Sequence, residues 1–211
     1  MNAPLPEADG RTRIRRRNEG RILAAALEVF SSAGFQGATL DRIAEAAGMS
    51  KTNLLYYFPS KTAVYSAVLN QTLDDWLEPL RAMDVEGEPI AEIRAYIHRK
   101  LEMSRSNPAA SRLFANEVLH GAPAIGAVLA GSLRDLVNEK AGVIHTWIAQ
   151  GRIRPVDPVH LIFSIWATTQ HYADFSVQVA AVLGPEVDEE ECYARAEETL
   201  DLLIAGALEP R

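Results

Sequence analysis

The stretch TLDRIAEAAGMSKTNLLYYFPSK, residues 39–61, decides the fold of the N-terminal part of the chain. Thr39 and Ser50 are of the residue types that cap helix N-termini, and each precedes a run with apolar residues at helical spacing. Gly48 lies between the two runs. Pro59 ends the second, because the residue before a proline avoids the helical conformation. The pattern predicts helix, four-residue turn and helix, which is a helix-turn-helix.

Two adjacent tyrosines, Tyr56 and Tyr57, close the second of these helices. A buried helix face repeats its apolar residues three or four positions apart, and a half-buried strand alternates them, but this pair does neither. We therefore expect one ring to pack inward and the other to offer its hydroxyl to a partner outside the protein.

The charge of the chain is unevenly distributed. The net charge is −7, but residues 1–61 carry nine Lys or Arg against six acids, a balance of +3, and the other 150 residues carry 12 against 22, a balance of −10. A basic head on an acidic body indicates that only one end approaches phosphate. The run RTRIRRR at 11–17 is either part of that surface or a disordered solubilising tail.

The polar residues that begin the second helix are the candidate base contacts. In a helix-turn-helix this helix enters the major groove, where Lys51 can donate to guanine, Asn53 can pair with adenine and Thr52 can touch a thymine methyl. Free backbone N–H groups near Lys61 attract phosphate, and the arginine arm can follow phosphates or lie in a minor groove. The alternative is a structural helical hairpin. The predicted DNA-binding residues are Arg15, Arg16, Arg17, Thr39, Ser50, Lys51, Thr52, Asn53, Tyr56, Tyr57 and Lys61.

Helical periodicity extends along nearly the whole sequence, and no alternating strand is evident. Asn18 is a candidate N-cap for a first helix that carries an apolar stripe from Ile22 to Phe30 and ends at Gly34. Further helices are predicted at about 61–83, 89–105, 108–119, 123–150, 157–182 and 188–208. The fold class is therefore all-α, with about nine helices.

Composition excludes several classes of protein. The single cysteine, Cys192, cannot form an internal disulfide, and no segment has the roughly 18 uninterrupted apolar residues of a membrane span. We therefore expect a cytoplasmic protein with no membrane partner. Because no Walker loop, Rossmann glycine pattern, nucleophile elbow or zinc spacing occurs, we expect no enzyme, no catalytic residue, no metal and no cofactor.

The helix-turn-helix that ends in LLYYFPSK, with a long helix following from Lys61, resembles the TetR family of bacterial transcription regulators over residues 18–65. The resemblance implies a three-helix DNA-binding head and a larger helical body for ligand binding and dimerisation. We accordingly divide the chain into a disordered basic arm at 1–17, a helix-turn-helix domain at 18–60 and a ligand-binding and dimerisation domain at 61–211.

Three stretches of the body resemble members of that family that regulate pyrimidine-degradation genes: DDWLEPL at 74–80, SRLFANEVLHGAP at 111–123 and DPVHLIFSIWATTQHYADF at 157–175. The resemblance implies uracil or thymine as the effector, which releases a double-stranded DNA operator. The sequence leaves open a TetR-type repressor that senses another small molecule, such as a purine, an amino acid or a drug.

By the same resemblance, the effector site consists of Trp76, Leu77, Lys100, Phe114, Trp166 and Gln170. Uracil is a flat neutral ring with two amide-like edges, so it requires aromatic faces and a group that both donates and accepts. Gln170 follows Trp166 by one helical turn and has such an amide. Alternatives remain: the tryptophans can be core residues, Gln170 can lie in a dimer seam, and Lys100 can be solvated.

The last two predicted helices indicate a homodimer. They are amphipathic or largely apolar, and pairing them with their symmetry mates makes a four-helix bundle, although a monomer can also bury them. Fifteen residues separate Lys61 from Trp76, which is about 22 Å of helix. A tilt at the effector end would therefore move the DNA-reading end.

Overall fold

The computed structural model describes residues 7–210, with side chains from Thr12 onward. Within that range the chain forms no strand and ten continuous helical segments, two of which contain a π turn and therefore carry two helix labels each. This confirms the all-α prediction. The first six are α1 Glu7–Gly37, α2 Leu40–Ala46, α3 Lys51–Tyr57, α4 Lys61–Arg81, α5 Pro89–Ser106 and α6 Pro108–Leu119. None of the described helices has the length and apolarity needed to cross a membrane.

The remaining helices complete the C-terminal part. A π turn at Leu129–Leu133 joins α7, Gly126–Val128, to α8, Arg134–Ala149. The next are α9 Pro158–Asp174, α10 Ser176–Leu183 and α11 Glu189–Leu200, and a second π turn at Asp201–Ala205 leads into α12, Gly206–Leu208. The chain divides into two compact units, Met1–Gln71 and Thr72–Arg211.

The first unit is built around the apolar stripe predicted for α1. Ile22, Ala26 and Phe30 on this stripe are almost fully buried, as are Ile43 of α2 and Leu54 of α3. Arg21 of α1 donates to the Ala47 carbonyl at 2.6 Å, which satisfies an acceptor at the C-terminal end of α2. The stripe therefore holds α2 and α3 in place as a helix-turn-helix.

The start of α1 differs from the prediction. The helix begins at Glu7 rather than after Asn18, so residues 7–17, expected as a disordered arm, are helical, while 1–6 lie outside the described residues. Asn18 is not an N-cap, since it lies within α1, and its amide donates to the Tyr57 hydroxyl at 2.7 Å. An Arg15–Glu19 ion pair one helical turn apart supports the added turns.

The first unit also extends past the boundary predicted at residue 60, as far as Gln71. The initial turns of α4 belong to it because they are bound to the end of α1. The Lys61 ammonium donates to the Phe35 and Ala38 carbonyls at 2.7 and 3.0 Å, and the Tyr65 ring lies 5.0 Å from that of Phe30.

The second unit has its core around α5, and the apolar positions predicted on this helix are buried. They are Ile90, Ile93, Ile97 and Leu101. Trp147 of α8 is fully buried, and its indole N–H donates to the Val85 carbonyl at 2.8 Å.

The helix predicted at 157–182 is broken at Phe175, between α9 and α10. Arg112 of α6 donates to the Ala173 carbonyl at 3.3 Å, and the Ser111 hydroxyl donates to the Asp174 carboxylate. These contacts give the last turn of α9 partners outside the helix. They come from distant residues, so the local periodicity does not reveal the break.

Candidate functional site

The predicted base-contacting residues lie together at the start of α3. Lys51, Thr52 and Asn53 occupy its first turn, and all three are exposed. Ser50 caps this helix by accepting from the Asn53 N–H, and Thr39 caps α2 by accepting from the Arg42 N–H, both at 3.2 Å. Each hydroxyl hydrogen is still able to donate to an outside acceptor.

The Lys51 ammonium forms an ion pair that the sequence analysis did not anticipate. Its Nζ lies 2.9 Å from Oδ2 of Asp41, in the first turn of α2, and both side chains are about half exposed or more. An exposed pair of this kind contributes at most about 1 kcal/mol, so a phosphate or a base can displace the carboxylate.

The two adjacent tyrosines take different positions. Tyr57 is half-buried with its hydroxyl on Asn18, whereas Tyr56 is 74% exposed, and the two rings meet edge to face at 5.3 Å. The arrangement is the one expected from their spacing, with one ring inward and one outward. Only the Tyr56 hydroxyl is fully available to a partner.

Lys61 differs from the prediction of an outward phosphate contact. Its ammonium is engaged by two carbonyl oxygens and lies 4.5 Å from the centre of the Phe35 ring. These contacts direct the Lys61 ammonium toward the protein, so the side chain has a structural role. Arg15, Arg16 and Arg17 are exposed on α1 rather than on a free arm. A helix is too wide to lie in a minor groove about 6 Å across, so α1 itself cannot enter one as a free arm could.

The second unit contains a small cavity of about 60 Å³. All the residues predicted to bind the effector line it, although they come from four helices that are distant in sequence. They are Trp76, Leu77, Lys100, Phe114, Trp166 and Gln170, joined by Leu73 and Leu133. The rings of Trp76 and Phe114 form one wall, with their centres 5.9 Å apart and their planes inclined at 43°.

Lys100 is not solvated, because only 3% of its surface is exposed. Its ammonium lies 4.4 Å from the centre of the Trp76 ring, a cation–π contact. Burial lowers the pKa of this ammonium to about 7, and the charge of Asp174 opposes the shift. Among residues 12–210 no fully enclosed polar side-chain atom lacks a partner. Lys100, which forms no hydrogen bond with them, is therefore open to the cavity that it lines.

Trp166 is held by a contact from α5. Its indole N–H donates to the Tyr96 hydroxyl at 2.6 Å. Burial raises the pKa of this phenol, which keeps it neutral. Because the N–H is already used, Trp166 offers its ring face to the cavity. The amide of Gln170, one turn later, forms no hydrogen bond with the described residues and lines the same cavity.

Some residues of this region were missed by sequence reasoning. Leu73 precedes Leu77 by one turn, and Tyr96 precedes Lys100 by one turn, so helical spacing could have indicated both. Asp174 also follows Gln170 by one turn, but its hydrogen bond from Ser111 spans 63 positions and leaves no local signal.

A third feature is an exposed apolar surface on the last helices. The exposed fractions are 85% for Val177 and 78% for Val182, both on α10, which has no buried residue. Phe163 and Phe175 are about half exposed, and Leu202, in the C-terminal π turn, is 73% exposed. So much apolar surface is typical of a protein interface.

Comparison with known proteins agrees with these features. Residues 22–68 match the family of bacterial regulatory proteins named tetR, and residues 69–211 match the C-terminal region of YcdC-like proteins. The chain is 52% identical over 190 residues to the HTH-type transcriptional regulator RutR of Escherichia coli K12, covering 90% of both proteins. It is also 42% identical over 62 residues to the transcriptional activator FasR of Mycolicibacterium smegmatis, covering 29% of this chain and 28% of that one.

Solved structures share the fold. The ketosteroid regulator KstR2 of Mycobacterium tuberculosis superposes with a TM-score of 0.68 at 19% identity, covering 92% of this chain and 95% of that one. The fatty acid degradation regulator FadR of Bacillus halodurans gives a TM-score of 0.66 at 18% identity, covering 96% and 97%. With its helix-turn-helix, its helical body and matches along nearly its whole length, the chain belongs to the TetR family of helix-turn-helix transcriptional regulators.

Proposed function

We propose that this protein is a dimeric repressor of pyrimidine-degradation genes that uracil or thymine releases from its operator. The observation that carries the proposal is the cavity of about 60 Å³, whose lining includes each of the residues that resemblance assigned to the effector. Residues spread over about 95 positions of sequence have little reason to converge on one cavity unless the resemblance extends to the site.

The size of the cavity favours a single small ring. A bound water requires about 10–15 Å³ of cavity volume, so about 60 Å³ corresponds to a handful of waters. Pockets for drug-sized ligands measure about 300–1,000 Å³. Uracil has about eight heavy atoms, and at a ceiling of about 1.5 kcal/mol per atom it must be contacted on most sides to reach micromolar affinity. A cavity of this scale provides such contact and disfavours a drug or a fused purine.

The polar groups of the cavity match the edges of a uracil ring. The Lys100 ammonium and the Trp76 indole N–H are donors that form no hydrogen bond with residues 12–210 and can meet ring carbonyls. Gln170 supplies both a donor and an acceptor for an imide edge. The aromatic faces of Trp166 and Phe114 supply stacking surface.

On the DNA side, we assign base contacts to Lys51, Thr52 and Asn53, and phosphate contacts to Tyr56 and the exposed arginines of α1. The exposure of these side chains, three of which lie in the first turn of α3, supports the assignment. Lys61 is reassigned from a phosphate contact to an anchor of α4, because carbonyl oxygens engage its ammonium.

The exposed apolar surface on α9, α10 and the C-terminal π turn is assigned to a homodimer. A two-fold dimer presents its recognition helices about 34–36 Å apart, which matches one turn of DNA. The uninterrupted α4 carries both Lys61 and Trp76 and is the element that can transmit the effector signal. For release, the effector must bind more tightly to a state in which the recognition helices are not spaced by one turn of DNA. A ligand that binds both states equally does not change their populations.

The test is an operator-binding assay with genomic DNA fragments, with and without uracil. Fragments retained by the protein are identified, and their affinity is then measured at saturating uracil or thymine. We expect retained fragments upstream of pyrimidine-degradation genes and at least a tenfold loss of affinity with the effector. Unchanged operator affinity at saturating uracil and thymine would remove the sensor proposal.

A repressor that senses a different small molecule is the second candidate, and a thermal-shift panel separates the two. A ligand at 100 times its dissociation constant stabilises the protein by about 2.7 kcal/mol. We expect stabilisation by uracil and thymine. A shift from purines, amino acids or drugs in their place would favour the second candidate.

A further inference from the structure

Lys100 has a property that the pyrimidine site by itself does not require. A lysine with only 3% of its surface exposed would ordinarily have its ammonium paired with a carboxylate or several oxygens, because burying an isolated charge is costly. Here the ammonium lies 4.4 Å from the centre of the Trp76 ring and forms no hydrogen bond with residues 12–210. The ammonium therefore lacks an oxygen partner among residues 12–210, and it lines the cavity.

The charged groups around Lys100 form no hydrogen bond with it. On α9, the carboxylate of Asp174 is hydrogen-bonded to Ser111, and burial raises its pKa. The nearby basic side chains, Arg112 of α6 and His171 of α9, act on Asp174 rather than on Lys100. α4 contributes the uncharged Trp76.

Two buried phenols, one on α5 itself and one on α11, stay neutral. Burial raises the pKa of Tyr96 on α5, and it raises the pKa of Tyr193 on α11 to about 12. Among residues 12–210, Asp174 is thus the one carboxylate whose charge acts on Lys100, and it forms no hydrogen bond with it.

We propose that Lys100 is the specificity-determining group of the cavity and that it binds the effector only as the cation, so that entry of a ring carbonyl draws a proton from solvent. The proposal rests on the pyrimidine site described above. A carbonyl oxygen of the bound ring supplies the hydrogen-bond acceptor that Lys100 lacks in the ligand-free protein. The charged form of Lys100 is then favoured over the neutral amine. Rings that offer no oxygen to Lys100 leave it unpaired and are selected against.

Linkage gives the proposal a quantitative form. With a pKa of about 7 in the ligand-free protein, Lys100 is about half neutral at pH 7. If the bound carbonyl raises that pKa well above 8, binding takes up about half a proton at pH 7, close to one at pH 8 and close to none at pH 6. The dissociation constant for uracil is then about tenfold larger at pH 8 than at pH 6, so binding is weaker at the higher pH. The uracil ring itself stays neutral over this range.

The experiment is isothermal titration calorimetry of the full-length protein with uracil at pH 6, 7 and 8. Each pH is measured in two buffers of different ionisation enthalpy, and the difference in heat gives the number of protons taken up. The matched control is His171→Gln. His171 is an exposed ionisable side chain of α9 that does not line the cavity.

Three outcomes are distinguishable. Proton uptake that rises with pH and persists in His171→Gln supports the proposal. Uracil binding without proton exchange, or uptake that disappears in His171→Gln, overturns the proposal and leaves the pyrimidine site intact. If neither uracil nor thymine binds at any pH, the proposed function fails, and the role of Lys100 fails with it.

Discussion

The indole N–H of Trp166 donates a 2.6 Å hydrogen bond to the hydroxyl of Tyr96, which ties α9 to α5 beside the cavity. The bond fixes the orientation of an aromatic ring that lines the cavity. Tyr96 itself is 2% exposed, so no solvent can replace the bond from its side.

We expect Tyr96→Phe to weaken uracil binding. Removing the hydroxyl leaves the Trp166 N–H without its acceptor, which costs about 1–3 kcal/mol and frees the ring to turn. Calorimetric titration with uracil and urea unfolding measure the two effects. Tyr193→Phe is the matched control, since Tyr193 is a buried phenol of the same unit that does not line this cavity. Equal uracil affinity in Tyr96→Phe and wild type would show that Trp166 needs no such support.

Lys100→Met should stabilise the ligand-free protein, and the gain should depend on pH. The folded-state pKa of about 7 lies below the ordinary value of 10.5. Between these values the unfolded chain holds a proton that the folded chain lacks, so wild-type stability rises with pH across this window. The advantage of Lys100→Met, at most about 5 kcal/mol, is therefore largest below pH 7 and shrinks toward pH 10.

Urea unfolding of both proteins at pH 6, 8 and 9.5 measures this trend. Lys140→Met provides the contrast. Lys140 is also buried, but its ammonium donates to the Met83 carbonyl at 3.2 Å, so its removal should destabilise the protein. A difference between wild type and Lys100→Met that stays constant with pH would contradict the assigned titration.

Asp41→Asn should increase affinity for DNA of any sequence. The substitution removes a negative charge and releases the Lys51 ammonium from its 2.9 Å ion pair, a change of about 1 kcal/mol or a few-fold in affinity. Fluorescence anisotropy against operator and unrelated duplexes, at several salt concentrations, measures it. Glu45→Gln removes the same charge from an exposed position on α2 outside this ion pair. If both variants act equally, net charge rather than the ion pair is responsible.

Lys61 and Lys51 should behave differently when their charges are removed. Lys61→Met breaks two hydrogen bonds to carbonyls, so we expect a loss of stability of about 1–3 kcal/mol with the salt dependence of DNA binding kept. Lys51→Ala should retain stability and lower the salt slope by about one unit, because the loss of one positive charge at the DNA surface reduces counterion release. Thermal unfolding and the salt dependence of operator binding distinguish the two. A reduced salt slope in Lys61→Met would restore its phosphate role.

Val182→Asp should prevent formation of the proposed dimer. Val182 is 78% exposed on α10, and a carboxylate buried there in an interface would be left unpaired. Sedimentation equilibrium measures the change. Leu119→Asp is the control, since Leu119 is 79% exposed but lies at the end of α6. A wild-type protein that sediments as a monomer would remove the dimer proposal.

Local patterns were sufficient wherever the determining contacts are close in sequence. The caps at Thr39 and Ser50, the buried stripe that includes Ile22 and Phe30, and the opposite positions of Tyr56 and Tyr57 all follow from spacing within a few turns. The stretch 39–61 is therefore enough to predict the two helices and the turn between them, whereas their packing also requires the apolar stripe of α1.

Only the tertiary structure reveals those features that depend on contacts between residues distant in sequence. Asn18 lies within α1 rather than at its start, and its amide donates to the hydroxyl of Tyr57, 39 positions away. Lys61 turned inward because the Phe35 and Ala38 carbonyls were within its reach, and the break at Phe175 follows contacts from α6. Resemblance was sufficient to assign Lys100 to the candidate site. The sequence could not show that its ammonium would form no hydrogen bond with an oxygen of residues 12–210. Whether a buried charge is paired depends on every helix packed around it, and periodicity describes one helix at a time.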